Sequence, residues 1–164
     1  MKRNLKDKVV WITGSGSGIG QNAAITLSSL GMKVILSGRD KKKLITTANK
    51  CKNETRIKPL DVSENEKVEL VVKEIIEEFK KIDVLINSAG TNVENRDWDI
   101  INKENWDNVF KTNVNGLFYC CKSTIPFMKK QEDGLIINIS SWAGKEVSLL
   151  SGVTYTSSKH AVNA

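Results

Sequence analysis

Four glycines crowd into Thr13-Gly14-Ser15-Gly16-Ser17-Gly18-Ile19-Gly20, directly after the apolar run Val9-Val10-Trp11-Ile12. The apolar run reads as a strand over 9–13, and residues 18–30 read as a helix closed by Gly31. A buried strand that feeds a helix through such a turn is one unit of a parallel α/β sheet. The glycines permit a tight turn and close backbone approach to a ligand. The unpaired N–H groups and positive end of the helix then favour a pyrophosphate. The spacing is not G-x-G-x-x-G, because Ile19 or Gln21 falls where the third glycine is needed. Nor does a Gly-Lys-Ser/Thr follow, as a triphosphate-binding loop requires. The pattern fits TGxxxGxG through Gly14, Gly18 and Gly20. Taken alone, the turn is also compatible with a flexible loop that binds nothing.

The rest of the chain repeats the alternation of short β-branched runs with helical patterns, which implies βαβ units. Strands are expected at 33–37, 56–60, 83–87 and 135–139. Pro59 suits a strand end, since it cannot donate to a ladder. Asp40 is placed to cap a helix running to about residue 50. Ser63-Glu64-Asn65-Glu66 reads as a capping box, followed by Val68, Val71, Val72, Ile75, Ile76 and Phe79 on one helical face. Residues 91–102 read as a loop in which Trp98, Ile100 and Ile101 are expected to be partly buried. A long helix is expected over 104–130, with a bend at Pro126. A loop over 142–152 then leads to a last helix from about Thr154 to the end.

The 164 residues suit one domain, and 40% hydrophobic with 27% charged residues is ordinary for a globular chain. The basic start, residues 1–8, is followed by only five apolar residues, too few for a signal-peptide core or a membrane span. A cytoplasmic protein that does not enter membranes is expected. Three cysteines, two of them adjacent, and the single His160 give no zinc pattern. The net charge of +6 is spread over many segments without aromatic interleaving. Nucleic-acid binding is therefore the weaker account, and a bias toward an anionic cofactor the better one.

The tip of the second strand reads Leu36-Ser37-Gly38-Arg39-Asp40. An acid there would bind the ribose hydroxyls of NAD. Gly38 stands in that position and Arg39, able to face a 2′-phosphate, comes next, which favours NADP over NAD. Further on, Tyr155 and Lys159 are four apart and share a helix face. Free tyrosine is a poor acid–base group at neutral pH, and a nearby ammonium favours its phenolate. Ser141 ends the fifth strand, fourteen residues before Tyr155, on the side of an open sheet where ligands bind. Asn113 puts an amide on a stripe with Trp106, Val109, Phe110 and Leu117. It either holds structure through water or backbone, or anchors a proton path. His160 points about 100° away from the lysine face and reads as structural.

Together these residues resemble the short-chain dehydrogenase/reductase family, over essentially the whole chain. The turn at 13–20 is similar to that family's cofactor turn. Asp61-Val62 match the pair that borders the adenine, and Asn87-Ser88-Ala89-Gly90 match NNAG with serine as its second residue. Asn113, Ser141, Tyr155 and Lys159 match an Asn-Ser-Tyr-Lys tetrad. The resemblance implies a Rossmann-type, doubly wound parallel sheet of strand order 3-2-1-4-5. It implies that Gly14, Ser15, Ser17, Gly18, Ile19 and Gly20 hold NADP or NAD. Arg39, Asp61, Val62, Asn87, Ala89, Gly90, Tyr155 and Lys159 would complete that binding site. The implied reaction moves a hydride between nicotinamide and a carbonyl or secondary alcohol. Ser141 would hold the substrate oxygen and Tyr155 exchange its proton. Lys159 would assist the tyrosine and bind the ribose, and Asn113 would position a water. The Ser141–Tyr155 spacing is one residue longer than the pattern, so Ser140 is the alternative serine. The family continues past this point with two more strands and a substrate-covering loop. Residues 1–164 are therefore expected to be an incomplete domain, from a parent that is homo-oligomeric. The alternative is a dinucleotide-binding module without turnover.

Overall fold

The computed structural model describes residues 4–147 and 149–164. The expected basic start at 1–3 and Ser148 of the 142–152 loop lie outside them. The elements run β1 Val9–Thr13, α1 Gly18–Ser29, β2 Lys33–Gly38, α2 Lys41–Ala48 and β3 Thr55–Pro59. They continue with α3 Asn65–Phe79, β4 Val84–Asn87, α4 Lys103–Phe110, α5 Leu117–Lys130, β5 Leu135–Asn138 and α6 Gly152–Asn163. All strand pairs are parallel and the sheet order is β3-β2-β1-β4-β5, the doubly wound order that the family resemblance implies.

Every residue of β1 is buried, because the strand lies in the middle of the sheet with helices on both faces. Successive side chains point to opposite faces. Val9 and Trp11 pack with Val68, Val72 and Ile75 of α3 and Cys120 of α5. Val10 and Ile12 pack with Ala24 of α1 and Leu44 of α2. The Trp11 indole Nε1 donates to Ser37 Oγ at 2.9 Å, so the one polar atom of this core tryptophan is satisfied. β1 has β2 on one side and β4 on the other, and the chain winds in opposite directions from it. That switch point opens a crevice at the carboxyl ends of the strands.

Several local expectations need correction. Ser63 does not cap α3, whose N-cap is Glu64 without a side-chain bond. Both the backbone N and the hydroxyl of Ser63 donate to Asp61 Oδ1 instead. Trp98 is 76% exposed and Ile100 52% exposed, not partly buried. The long helix starts one residue early, on a reciprocal capping box between Asn102 and Asn105. It is also interrupted, because Lys111–Gly116 forms a π-helical segment between α4 and α5. No described helix is long and apolar enough to cross a membrane.

Candidate functional site

The glycine turn takes its shape from backbone contacts that a side chain would prevent. Gly14 has φ +66, and a Cβ on it would stand 2.7 Å from Ala89 N. A Cβ on Gly20 would stand 2.5 Å from Gly14 O. The tips of β1 and β4 thus touch through bare backbone. Thr13 Oγ1 adds a clasp by accepting from the N–H groups of Ser88 and Ala89, each at 3.2 Å. At the start of α1, Ser17 is extended and makes no capping bond. A Cβ on Gly18 would meet no protein atom within 4 Å, so the space before the helix is open. Uncapped N–H groups facing open space are what a pyrophosphate needs, and these residues fit it.

That space belongs to a cavity of about 640 Å³ at the carboxyl ends of the strands. Its floor is Gly14, Ser17, Gly18 and Ile19 of the turn. One end is formed by Arg39, Asp61 and Val62, and the other by Ala89, Gly90, Tyr155 and Lys159. Residues from five separate segments thus meet in one place. Not every expected residue lines it. Ser15 is buried and its hydroxyl donates to Ser37 O. Gly20 is buried behind the turn. Asn87 is turned into the sheet, with Nδ2 donating to Asn138 Oδ1 at 2.9 Å and to Cys121 Sγ at 3.3 Å.

The tetrad residues occupy distinct environments. Lys159 is only 5% exposed. Its Nζ donates to Ile139 O at 2.8 Å and lies 5.6 Å from the centre of the Tyr155 ring. Burial pushes its ammonium below the usual lysine value. Asn113 is buried in the π segment. Its Oδ1 accepts from Thr91 N at 2.8 Å, and its Nδ2 donates to Thr91 O and to Ser158 Oγ, each at 2.9 Å. Both expected alternatives for it needed partners, and these are backbone and α6. Ser141 caps a short 3₁₀ turn, Trp142–Gly144, by accepting from Ala143 N at 3.2 Å. Ser140, not Ser141, lines the cavity. His160 turns its Nδ1 to Thr156 O at 2.9 Å, within its own helix.

Sequence reasoning missed Thr13, Lys43, Thr91 and Thr112, and reached Asn92 and Arg96 only as members of the 92–98 loop, with no role assigned to either. All but Thr13 line the cavity. Thr13 could have been found from its place at the strand tip, where a hydroxyl meets the neighbouring loop. The rest lie on loops or helix ends whose approach depends on the whole fold.

The family model described as short chain dehydrogenase matches residues 8–164. An uncharacterized oxidoreductase of Staphylococcus aureus (strain MRSA252) is 37% identical over 160 residues, covering 97% of this chain and 68% of that protein. Among solved structures, a metagenomic short-chain oxidoreductase in complex with NADP superposes with a TM-score of 0.92 at 29% identity. The match covers 98% of this chain and 74% of that one. A short chain dehydrogenase/reductase from Burkholderia phymatum in complex with NAD also superposes at 0.92, with 32% identity, covering 98% of this chain and 58% of that one.

Proposed function

This chain belongs to the short-chain dehydrogenase family, and we propose that it binds NADP in preference to NAD and interconverts a carbonyl and a secondary alcohol. A cytoplasmic, self-associating protein is the setting we propose for it. The observation that carries the reading is the single cavity joining the glycine turn to Tyr155 and Lys159. When bound, the dinucleotide supplies or accepts the hydride at its nicotinamide. The preference for NADP rests on Arg39, an exposed guanidinium at the tip of β2, and on Gly38 in place of an acid. The same cavity-lining Arg39 is 2′-phosphate-directed in this reading, and Asp61 and Val62 bound the base.

In the reducing direction, the Tyr155 hydroxyl donates its proton to the substrate oxygen as the carbon gains hydride. In oxidation it takes that proton back. Lys159 stands beside the tyrosine ring with one Nζ proton fixed on Ile139 O, leaving two for a ribose hydroxyl and the tyrosine. Ser140 or Ser141 orients the substrate oxygen. Asn113 keeps the Thr91 loop and α6 in register, so the cofactor side and the tyrosine side of the cavity stay aligned. A module that binds the dinucleotide without turnover is the second reading. It is favoured by the place of Ser141, which does not line the cavity.

Fluorescence titration with NADPH and NADH tests the binding. Saturable binding with NADPH tighter is expected, and no binding to either overturns the proposal. Tyr155→Phe should bind NADPH as the parent does but lose turnover by about a hundredfold or more, the size of a positioned proton donor. Unchanged turnover in that variant would remove Tyr155 from the chemistry.

A further inference from the structure

The charges around the cavity are unevenly placed. At the Arg39 end the lining includes two acids, Asp40 and Asp61. Asp40 is engaged with the N–H groups of Lys42 and Lys43, and Asp61 with Ser63. At the Tyr155 end the lining is Thr91, Asn92, Arg96, Ser140, Tyr155 and Lys159, with two cations and no acid. Lys159 is buried, with one Nζ proton on Ile139 O and the others, in the proposed reaction, on the ribose and Tyr155. Arg96 is different. It is exposed and forms no ion pair among the described residues, although Glu94 and Asp97 are its close neighbours in sequence.

Arg96 is nonetheless held in place. Its Nε donates to Val93 O at 3.2 Å, and its Nη1 donates to Leu150 O. Its stem lies on the first residue of α6, where a Cβ on Gly152 would come within 2.7 Å of Arg96 Cβ. Gly152 has φ +74, a conformation that glycine adopts freely. Asn92 Nδ2 donates to Ser151 O at 3.0 Å and braces the same junction. Two backbone carbonyls thus fix the plane of the guanidinium, while Nη2 has no acceptor among the described residues. Packed on Gly152, three residues before Tyr155, the Arg96 guanidinium is a preset cation at the substrate end of the cavity. An arginine with a fixed fork and open N–H groups is suited to a carboxylate or phosphate.

We infer that Arg96 selects substrates bearing an anionic group, a carboxylate foremost, separated from the carbonyl that is reduced. This deepens the oxidoreductase reading and rests on it. The group transfers nothing: Arg96 binds the anion and so orients the carbonyl toward Tyr155.

The test compares keto acids, with one to four carbons between ketone and carboxylate, against their methyl esters. In the parent chain at least one acid should exceed its ester by about tenfold or more in kcat/KM, as one charge-assisted hydrogen bond allows. Arg96→Gln should erase that preference while leaving NADPH affinity unchanged, and Arg96→Lys should keep part of it. Thermal melting of each variant distinguishes loss of selectivity from loss of fold. Equal rates for every acid–ester pair in the parent would overturn the inference, as would a preference that survives in a folded Arg96→Gln chain. If no ketone is turned over, acid and ester binding are compared by quenching of bound NADPH. If NADPH does not bind, the functional reading fails, and the Arg96 side-chain NMR signals of the free chain decide. A carboxylate-specific shift upholds the anion site, and its absence overturns it.

Discussion

Asp83 sits just before β4, at the end of the sheet away from the cavity, and is 7% exposed. Its carboxylate accepts from Lys8 Nζ and from Val9 N, both at 2.7 Å, and lies 3.1 Å from Lys81 Nζ. Burial alone would raise its pKa, but these donors and charges outweigh it and hold the carboxyl below its ordinary value. A folded value below the unfolded one means that the stabilisation is present above the unfolded pKa, about 3.9. It is lost as pH falls through the folded value. Asp83→Asn should therefore cost about 1–3 kcal/mol at neutral pH, the scale of a hydrogen-bonded buried charge. The difference from the parent should shrink below about pH 4, as urea melts across pH would read. An equal penalty at pH 3 and pH 7 would contradict this account. Lys159 follows the opposite pattern to a paired lysine. With its pKa depressed by burial, it opposes folding while charged, and that opposition fades as pH rises from the folded value toward the usual one.

The helical stretch from α4 to α5 marks the limit of reading periodicity. Val109 and Asn113 are buried together, as their spacing predicts, and so are Cys120, Thr124 and Met128. The intervening turn is π-helical, which propensity does not announce, because the change is one of hydrogen-bond register and not of residue type. Trp106, expected on the Asn113 face, is instead 37% exposed and stacks on Phe110 at 4.6 Å. The π segment ends at Gly116, where a Cβ would stand 2.5 Å from Val62 Cγ2. Gly116→Ala should cost about 1–3 kcal/mol through overpacking, partly offset by about 1 kcal/mol of better helix propensity. Because Val62 lines the cavity, cofactor affinity should fall with stability. A variant as stable as the parent, with unchanged binding, would show that Val62 yields freely. Of the capping expectations, Asp40 does cap α2 through the N–H groups of Lys42 and Lys43, whereas Ser63 does not cap α3. Ser63 and Asn102 are both capping residue types, but Ser63 is drawn into a local turn by Asp61, two residues before it, while Asn102 is free to accept from Asn105 N.

At the scale of the molecule, strand positions were legible because β-branched runs alternate with helical patterns, and their order came from the resemblance of the motifs to a known family. The glycine turn was legible because its backbone conformation demands its residues. The distribution of roles among polar residues was less so. Asn87 ends β4 and is drawn to Asn138 of the neighbouring strand, while Ser141, expected to end the fifth strand, lies three residues past β5 and caps the turn at Trp142–Gly144. Arg96 was legible only as part of the 92–98 loop, because its place depends on Gly152, fifty-six residues later. Asn113 joins the two sides of the cavity through one amide, and this has a consequence in time as well as in space. The Thr91 N–H lies in a loop, where exchange with deuterated solvent is ordinarily fast, yet it is donated to a buried acceptor. It should exchange about as slowly as the amides of β4. Asn113→Ala should speed it together with the amides of α6, because one opening event would release both. If Thr91 and α6 exchange independently in the parent, the two walls breathe separately, and the cavity has no common clock.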